Sequence, residues 1–155
     1  MSALSSPPAP GSQIAVVGGT GFLGTHIVRE LAQAGYQPVV IVRHPELVTK
    51  LLPGFAVKTR TADVANLATL TEALTGCAAV HSTVALVDQA FVPTSAEAER
   101  LLITTNVEGG LNVLRAAKVV GISRVILTGS CSMRYAEGGA TTSESSPPTP
   151  LALVN

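Results

Sequence analysis

Tryptophan is absent from this chain, and aromatic residues make up only 3% of it. A core for 155 residues must therefore be built from Val, Leu, Ile and Ala, which suits strands buried on both faces beneath helices. Only two cysteines occur, Cys77 and Cys131, far apart and in no Cys-x-x-Cys or Cys/His grouping. Neither a disulfide framework nor a metal site is expected, and both cysteines read as small buried hydrophobes. Charge is also scarce: 13% of residues are charged, the formal net charge is zero and no basic run occurs. That composition points away from nucleic acid as a partner. No apolar run reaches the about 18 residues that a membrane span takes. Residues 1–12 lack the basic start and hydrophobic stretch of a secretion signal, so the expectation is a cytoplasmic protein with no membrane partner.

What the chain does have is a burst of glycine behind an apolar run. Ile14-Ala15-Val16-Val17 leads into Gly18-Gly19-Thr20-Gly21-Phe22-Leu23-Gly24, after which the pattern turns helical at once. A strand feeding a phosphate-binding turn and a helix N-terminus has this form. Two spacings fit: Gly19-x-Gly21-x-x-Gly24, or the wider Gly18-x-x-Gly21-x-x-Gly24. The apolar run stops at Val17, which makes Gly18 the turning residue and favours the wider spacing. Gly18 then supplies a backbone conformation closed to other residues. Gly21 lets a pyrophosphate approach the backbone, and Gly24 lets the helix pack close to the strand. The amides around Phe22 and Leu23 would face the phosphate, aided by a helix dipole worth about 0.3–1 kcal/mol.

Taken in order, residues 1–12 are Ser/Pro-rich and read as a disordered leader. Strand one covers 14–17 and helix one about 22–34, ended by Gly35 as a left-handed cap. Strand two is Val39-Val40-Ile41-Val42. A short helix at 46–52 stops at Pro53-Gly54, strand three spans about 55–59, and Asn66 caps a helix that Gly76 ends. Strand four covers 78–82. Ser95 caps a long helix to about residue 119, interrupted by Gly109-Gly110, where close packing is expected because glycine costs about 1 kcal/mol against alanine in a helix. Strand five covers 124–128, and residues 136–150 read as loop. Five strands alternating with four helices give an α/β fold: a doubly wound, Rossmann-type parallel sheet of order 3-2-1-4-5 in three α/β/α layers. The crevice between strands one and four is then the topological switch point, beside the glycine turn. Arg43 closes strand two, 19 residues past Gly24. At that place an acid holds the ribose hydroxyls of NAD, whereas an arginine accommodates the extra phosphate of NADP. The expected cofactor is therefore NADP, with NAD as the alternative. No Gly-Lys-Ser/Thr comes after the glycines, which disfavours a P-loop NTPase.

Five stretches together resemble the extended short-chain dehydrogenase/reductase group, also called the NAD-dependent epimerase/dehydratase family. Residues 18–24 resemble its nucleotide turn, with Val17 where Thr is usual. Asp63-Val64 matches the pair after strand three that contacts adenine in the family, with Ala62 in place of a common Gly. Val80-His81-Ser82-Thr83-Val84-Ala85 resembles the segment after strand four that borders the cofactor, which the resemblance assigns to Thr83 and Val84. Asn106-Val107-Glu108-Gly109-Gly110-Leu111-Asn112-Val113-Leu114 is similar to the family's NVxGTxNVL helix, whose first Asn, here Asn106, supports the active site. Residues 124–130 resemble the strand leading to the active-site serine, which makes Ser130 the candidate to hydrogen-bond the reacting oxygen. His81 reads as a structural strand-end histidine.

The departure is as informative. The family's catalysis rests on a Tyr-x-x-x-Lys pair, in which the tyrosine moves the substrate proton and the lysine lowers its pKa. No such pair exists here: four residues after Tyr36 stands Val40, and four after Tyr135 stands Gly139. Residues 144–151 resemble the lead-in to that tyrosine helix. The expectation is a dinucleotide-binding domain over 13–135, with 136–155 a tail leading to a catalytic helix that lies outside it, as though truncated after strand five. By resemblance the parent is an NAD(P)-dependent oxidoreductase, epimerase or dehydratase acting on a small hydroxyl/carbonyl substrate. This chain alone is expected to be inactive. The alternatives are a non-catalytic NADP(H)-sensing module or an inactive gene fragment. Strand five, left as an apolar edge, is expected to promote self-association.

Overall fold

The computed structural model describes residues 6–87, 95–130 and 141–147. β1 (Gln13–Val17) and β2 (Gln37–Val42) are buried at 14–17 and 38–42, so these runs must be covered on both faces. Alternation along the strands sends successive side chains to opposite layers. Ala15, Val17, Val39 and Ile41 join Leu70, Ala73 and Leu74 of α3 (Leu67–Leu74) and Val113, Ala116 and Ala117 of α5 (Gly109–Val119) in one core. Val16, Val40 and Val42 join Val28 of α1 (Phe22–Gln33) and Val48 of α2 (Glu46–Leu51) in the other. Each fully buried valine contributes about 1.5–3 kcal/mol, so neither face of the sheet is stable without its helices.

β3 (Lys58–Thr61), β4 (Ala79–Ser82) and β5 (Val125–Leu127) complete a five-stranded sheet of order β3-β2-β1-β4-β5. Every pairing is parallel, with Ala15 opposite both Val39 and Val80. This is the expected topology. It opens a crevice between the C-terminal ends of β1 and β4, where the connections leave for opposite sides of the sheet.

The helix boundaries obey the local chemistry. Gly35 and Gly76 have φ of +82° and +77° after α1 and α3, and the Tyr36 amide reaches back to the Leu31 carbonyl at 3.0 Å. The Asn66 side chain accepts from the Ala68 and Thr69 amides, and Ser95 accepts from the Ala98 amide at the start of α4 (Ala96–Leu102). A π-helical segment, Ile103–Glu108, joins α4 to α5.

Three expectations are corrected. Strand three starts at Lys58 rather than near residue 55, because Phe55 and Val57 turn into the α1/α2 core before pairing with β2 begins. β3 itself is an edge strand of exposed and half-buried residues, Lys58-Thr59-Arg60-Thr61, which hydrophobic patterning cannot find. The long helix loses regularity ahead of its glycines, at 103–108, and not at Gly109-Gly110. Finally, the leader is anchored where its described part nears the sheet: Tyr36 Oη donates to the Pro8 carbonyl, and the Gly11 amide to the Gly35 carbonyl. Residues 1–5 of that leader, Cys131 and most of the 136–155 tail lie outside the described residues.

The expected close packing falls on Gly109 alone. A Cβ there would sit 2.8 Å from Val64 Cγ2, whereas one on Gly110 would meet nothing within 4 Å. Gly109→Ala should therefore cost about 1–3 kcal/mol through overpacking. Gly110→Ala should stabilise by about 1 kcal/mol through helix propensity. Urea unfolding of the two variants checks both signs.

Candidate functional site

The glycine turn is built by backbone packed on backbone. Gly18 sits at φ +82°, and a Cβ on it would lie 2.9 Å from both Thr83 Oγ1 and Val84 Cγ2. Its amide donates to the Ile41 carbonyl, and its carbonyl accepts from the Gly21 amide at 2.9 Å. A Cβ on Gly24 would overlap the Gly18 carbonyl oxygen and lie 2.8 Å from Gly19 Cα. This is the wider spacing: Gly18 turns the chain and Gly24 admits the helix. Gly19, which that spacing leaves unassigned, is required for a different reason. It is buried, and its Cβ would meet Val40 Cγ1 at 2.9 Å in the core.

Gly21 caps α1 with no side chain to satisfy the first-turn amides, and that turn holds no acidic residue. A Cβ on Gly21 would meet only the Gly18 carbonyl, at 3.3 Å, so its outer side is open. Phe22 and Leu23 are exposed here with Gly24 buried behind them, so the first-turn amides, uncapped by any side chain, stand at a helix start of the kind that seats an anion. A pyrophosphate fits the residues present. Phe22 itself is exposed, with its ring edge-on to His26 at 5.2 Å between centroids. Thr20 lies in the same turn, half-buried.

The segment after β4 closes over this turn. The Thr83 hydroxyl is shared between the Val17 and Gly18 carbonyls at 3.1 and 3.2 Å, and the Thr83 amide donates to Val17. Further along, Asn106 grips Leu86 twice: its Oδ1 accepts from the Leu86 amide at 2.7 Å, and its Nδ2 donates to the Leu86 carbonyl at 2.8 Å. Thr83 and Val84 are therefore pinned against the glycine turn while Asn106 holds the loop beyond them.

At the other end of the crevice, Arg43 and Asp63 face each other across the ends of β2 and β3, 4.0 Å apart and largely exposed. A pair so exposed adds only about 0–1 kcal/mol, which leaves both side chains available to a ligand. Asp63 Oδ1 accepts from the Ala65 amide, forming a tight turn around Val64.

Ser130 stands beyond the C-terminal end of β5, on the same edge of the sheet as Ser82 and Thr83; the Thr128 amide extends the ladder to the Ser82 carbonyl. His81 Nε2 lies 3.1 Å from Thr128 Oγ1, tying β4 to the end of β5. That is the structural role expected of it. Burial holds its imidazole below the ordinary pKa.

Two residues escape sequence reading. Asn112 donates from Nδ2 to the Val64 carbonyl at 2.9 Å. Arg60 donates to the carbonyls of Ala73 and Thr75 at the end of α3 and to Gln13 Oε1. Its neighbour Cys77 is buried, and burial raises the thiol pKa despite that guanidinium. A groove of about 290 Å³ along α4 and the π segment, lined by residues such as Glu99, Arg100 and Glu108, shares nothing with the crevice. Among the described residues no group of His, Cys, Asp and Glu could hold a metal, and no helix is long and apolar enough to cross a membrane.

The profile of the family described as "NAD dependent epimerase/dehydratase family" matches residues 14–154. Dihydroflavonol 4-reductase of Hordeum vulgare is 33% identical over 125 residues, 76% of this chain and 34% of that protein. Tetraketide alpha-pyrone reductase 1 of Arabidopsis thaliana is 34% identical over 77% of this chain and 38% of that protein. The chain thus spans about a third of the length of these curated relatives. Among solved structures, UDP-glucose-4-epimerase from Stenotrophomonas maltophila, with bound NAD and formylated UDP-arabinopyranose, superposes with a TM-score of 0.77 at 19% identity. It is covered to 44% by 92% of this chain. The Thermus thermophilus UDP-glucose 4-epimerase complex with NAD gives 0.74 at 25% identity, covering 92% of this chain and 46% of that one.

The depressed His81 pKa has a definite sign. The unfolded chain takes up a proton near the ordinary value of 6.5, before the folded one does, so stability is lost as pH falls below that value. Thermal melts should fall more steeply between about pH 7 and about pH 5 for the wild type than for His81→Gln. Parallel slopes would show that His81 titrates as freely folded as unfolded.

Proposed function

The chain belongs to the NAD dependent epimerase/dehydratase family, and from that premise we propose that it forms the NAD(P)-binding part of an oxidoreductase acting on a small hydroxyl/carbonyl substrate, with NADP(H) the preferred cofactor. The observation that carries this reading is the uncapped helix start at Gly21–Gly24, set at the switch point of the sheet by Gly18, Gly19 and Gly24, each of which has a neighbour within 3 Å of any added Cβ. When bound, the dinucleotide supplies the hydride chemistry. The chain's own residues bind and orient it. The Phe22, Leu23 and Gly24 amides take the pyrophosphate, Asp63-Val64 the adenine, Thr83 and Val84 the wall beside the turn, and Arg43 the 2′-phosphate. Asn106 supports the loop after β4, and Ser130 hydrogen-bonds the reacting oxygen. The reductase names of the curated relatives support a carbonyl substrate. Cysteine usage is consistent with a cytoplasmic setting.

The sequence contains no Tyr-x-x-x-Lys, and that observation favours a second reading for these 155 residues on their own: they hold the dinucleotide without turning it over. The proton-transfer pair is then supplied from outside them.

Titration of NADPH and NADH into the chain tests the proposal. Saturable binding of both, tighter for NADPH, is expected. Arg43→Ala should weaken NADPH about tenfold or more, the loss of a charged hydrogen bond of about 1.5–3 kcal/mol, and leave NADH unchanged. No saturable signal with either would remove both the enzyme and the sensor reading, and tighter NADH would overturn the role of Arg43.

We further propose that β5 mediates self-association. It is the outer strand opposite β3, and Ile126 and Leu127 on it are exposed. Sedimentation should show concentration-dependent oligomers that Ile126→Lys disperses, and a monomer at high concentration would rule the contact out.

A further inference from the structure

Among the described residues, Asn112 is one of only two polar side chains in the buried set, the other being Ser82. A buried amide needs partners for both ends, and Asn112 has them. Its Oδ1 accepts from Arg115 Nη1 at 3.2 Å, which turns Nδ2 towards the Val64 carbonyl. Val64 is thereby gripped twice by α5. Its side chain fills the notch left by Gly109, and its carbonyl is held by Asn112 one helical turn later. Val64 in turn lies inside the tight turn closed by Asp63 Oδ1 on the Ala65 amide and by the Asp63 carbonyl on the Asn66 amide. Fixing the Val64 carbonyl fixes the Val64–Ala65 peptide plane, and with it the Ala65 amide that donates to Asp63 Oδ1 and so the direction of Oδ2, the oxygen that faces Arg43 across 4.0 Å.

We propose that Asn112 is a positioning residue that sets purine specificity: it orients the Asp63–Val64 turn so that this turn accepts the amino-bearing edge of adenine and rejects an oxo group. The proposal rests on reading that turn as the adenine seat. A carboxylate is an acceptor only, so it pairs with the 6-amino group and repels a 6-oxo group, but only while it is held at the right angle. Asn112 touches no ligand and acts through Val64. Arg115, largely exposed, acts one step further back by fixing the amide's orientation.

The test compares NADPH with its hypoxanthine counterpart, in which an oxo group replaces the 6-amino group, on the full chain. The wild type should prefer the adenine form by about tenfold. Asn112→Leu should bring the two affinities to within about twofold. Arg115→Leu, which leaves the buried amide in place and the fold intact, should give an intermediate ratio and serves where Asn112→Leu fails to fold. Both affinities falling together at the wild-type ratio, in either variant that folds, would make Asn112 a mere tether and overturn the proposal. A wild type that binds both purines equally would overturn the adenine seat and the proposal with it. A wild type that binds neither would instead sink the dinucleotide reading itself.

Discussion

No side chain fits between the start of α1 and the end of β1, and the site depends on that fact. Gly24 lies against the Gly18 carbonyl and Gly19 Cα, Gly19 against Val40, and Gly18 against Thr83 and Val84. Three glycines in a stretch of seven residues are thus fixed by three different neighbours: a strand end, the core and the loop after β4. The turn is consequently rigid although it consists of the most flexible residue type. A turn so packed can hold α1 with its first-turn amides uncapped by any side chain, the arrangement a phosphate requires. The conformational entropy that glycine loses on folding is offset by packing on every side.

How much of this was legible in the sequence depended on which force built each part. Elements made by apolar burial were readable: β1, β2, β4 and the helices between them carry their hydrophobic residues at strand or helix spacing, and Gly35, Asn66, Gly76 and Ser95 mark their ends. β3 was misplaced because polar contacts hold it. Arg60, in its middle, donates to the Ala73 and Thr75 carbonyls at the end of α3 and to Gln13 on β1. A guanidinium there answers both the unpaired carbonyls and the negative end of the helix dipole, yet nothing in Lys58-Thr59-Arg60-Thr61 announces a strand.

The site shows the same division. Gly18 and Gly24 were legible because a turn and a helix contact leave no room for a Cβ, and Gly21, whose Cβ would meet only the Gly18 carbonyl at 3.3 Å, was legible from its spacing between them. Arg43 was legible as a charge at a strand end and Asp63 within its own motif, but their pairing was not, since the two are 20 positions apart and meet only once β2 and β3 pair. Asn106 was recognisable within its motif, while its function as a double hydrogen-bond clamp on Leu86 depends on the loop's path. Asn112 stood in that same motif without a role. Its partner Val64 is 48 residues away, and only the docking of α5 onto the turn after β3 makes the contact.

These last two asparagines make the α4–α5 rod more than a cover for the sheet. Asn106 lies in the π segment and holds the loop after β4; Gly109 and Asn112 lie in α5 and hold the turn after β3. A π segment adds one residue to the turn and so rotates the helix after it relative to the helix before it. Here the residue that grips one loop lies inside that segment, and the residues that grip the other follow directly after it. In a uniform α-helix, positions 106 and 109 lie about 300° apart around the axis, and a wider turn changes that angle. The irregularity is thus placed where it lets one helix face two loops on opposite sides of the switch point. The loop after β4 and the turn after β3 are thus both hydrogen-bonded to one continuous helical element, so their separation is tied to the spacing of Asn106 and Asn112 along it.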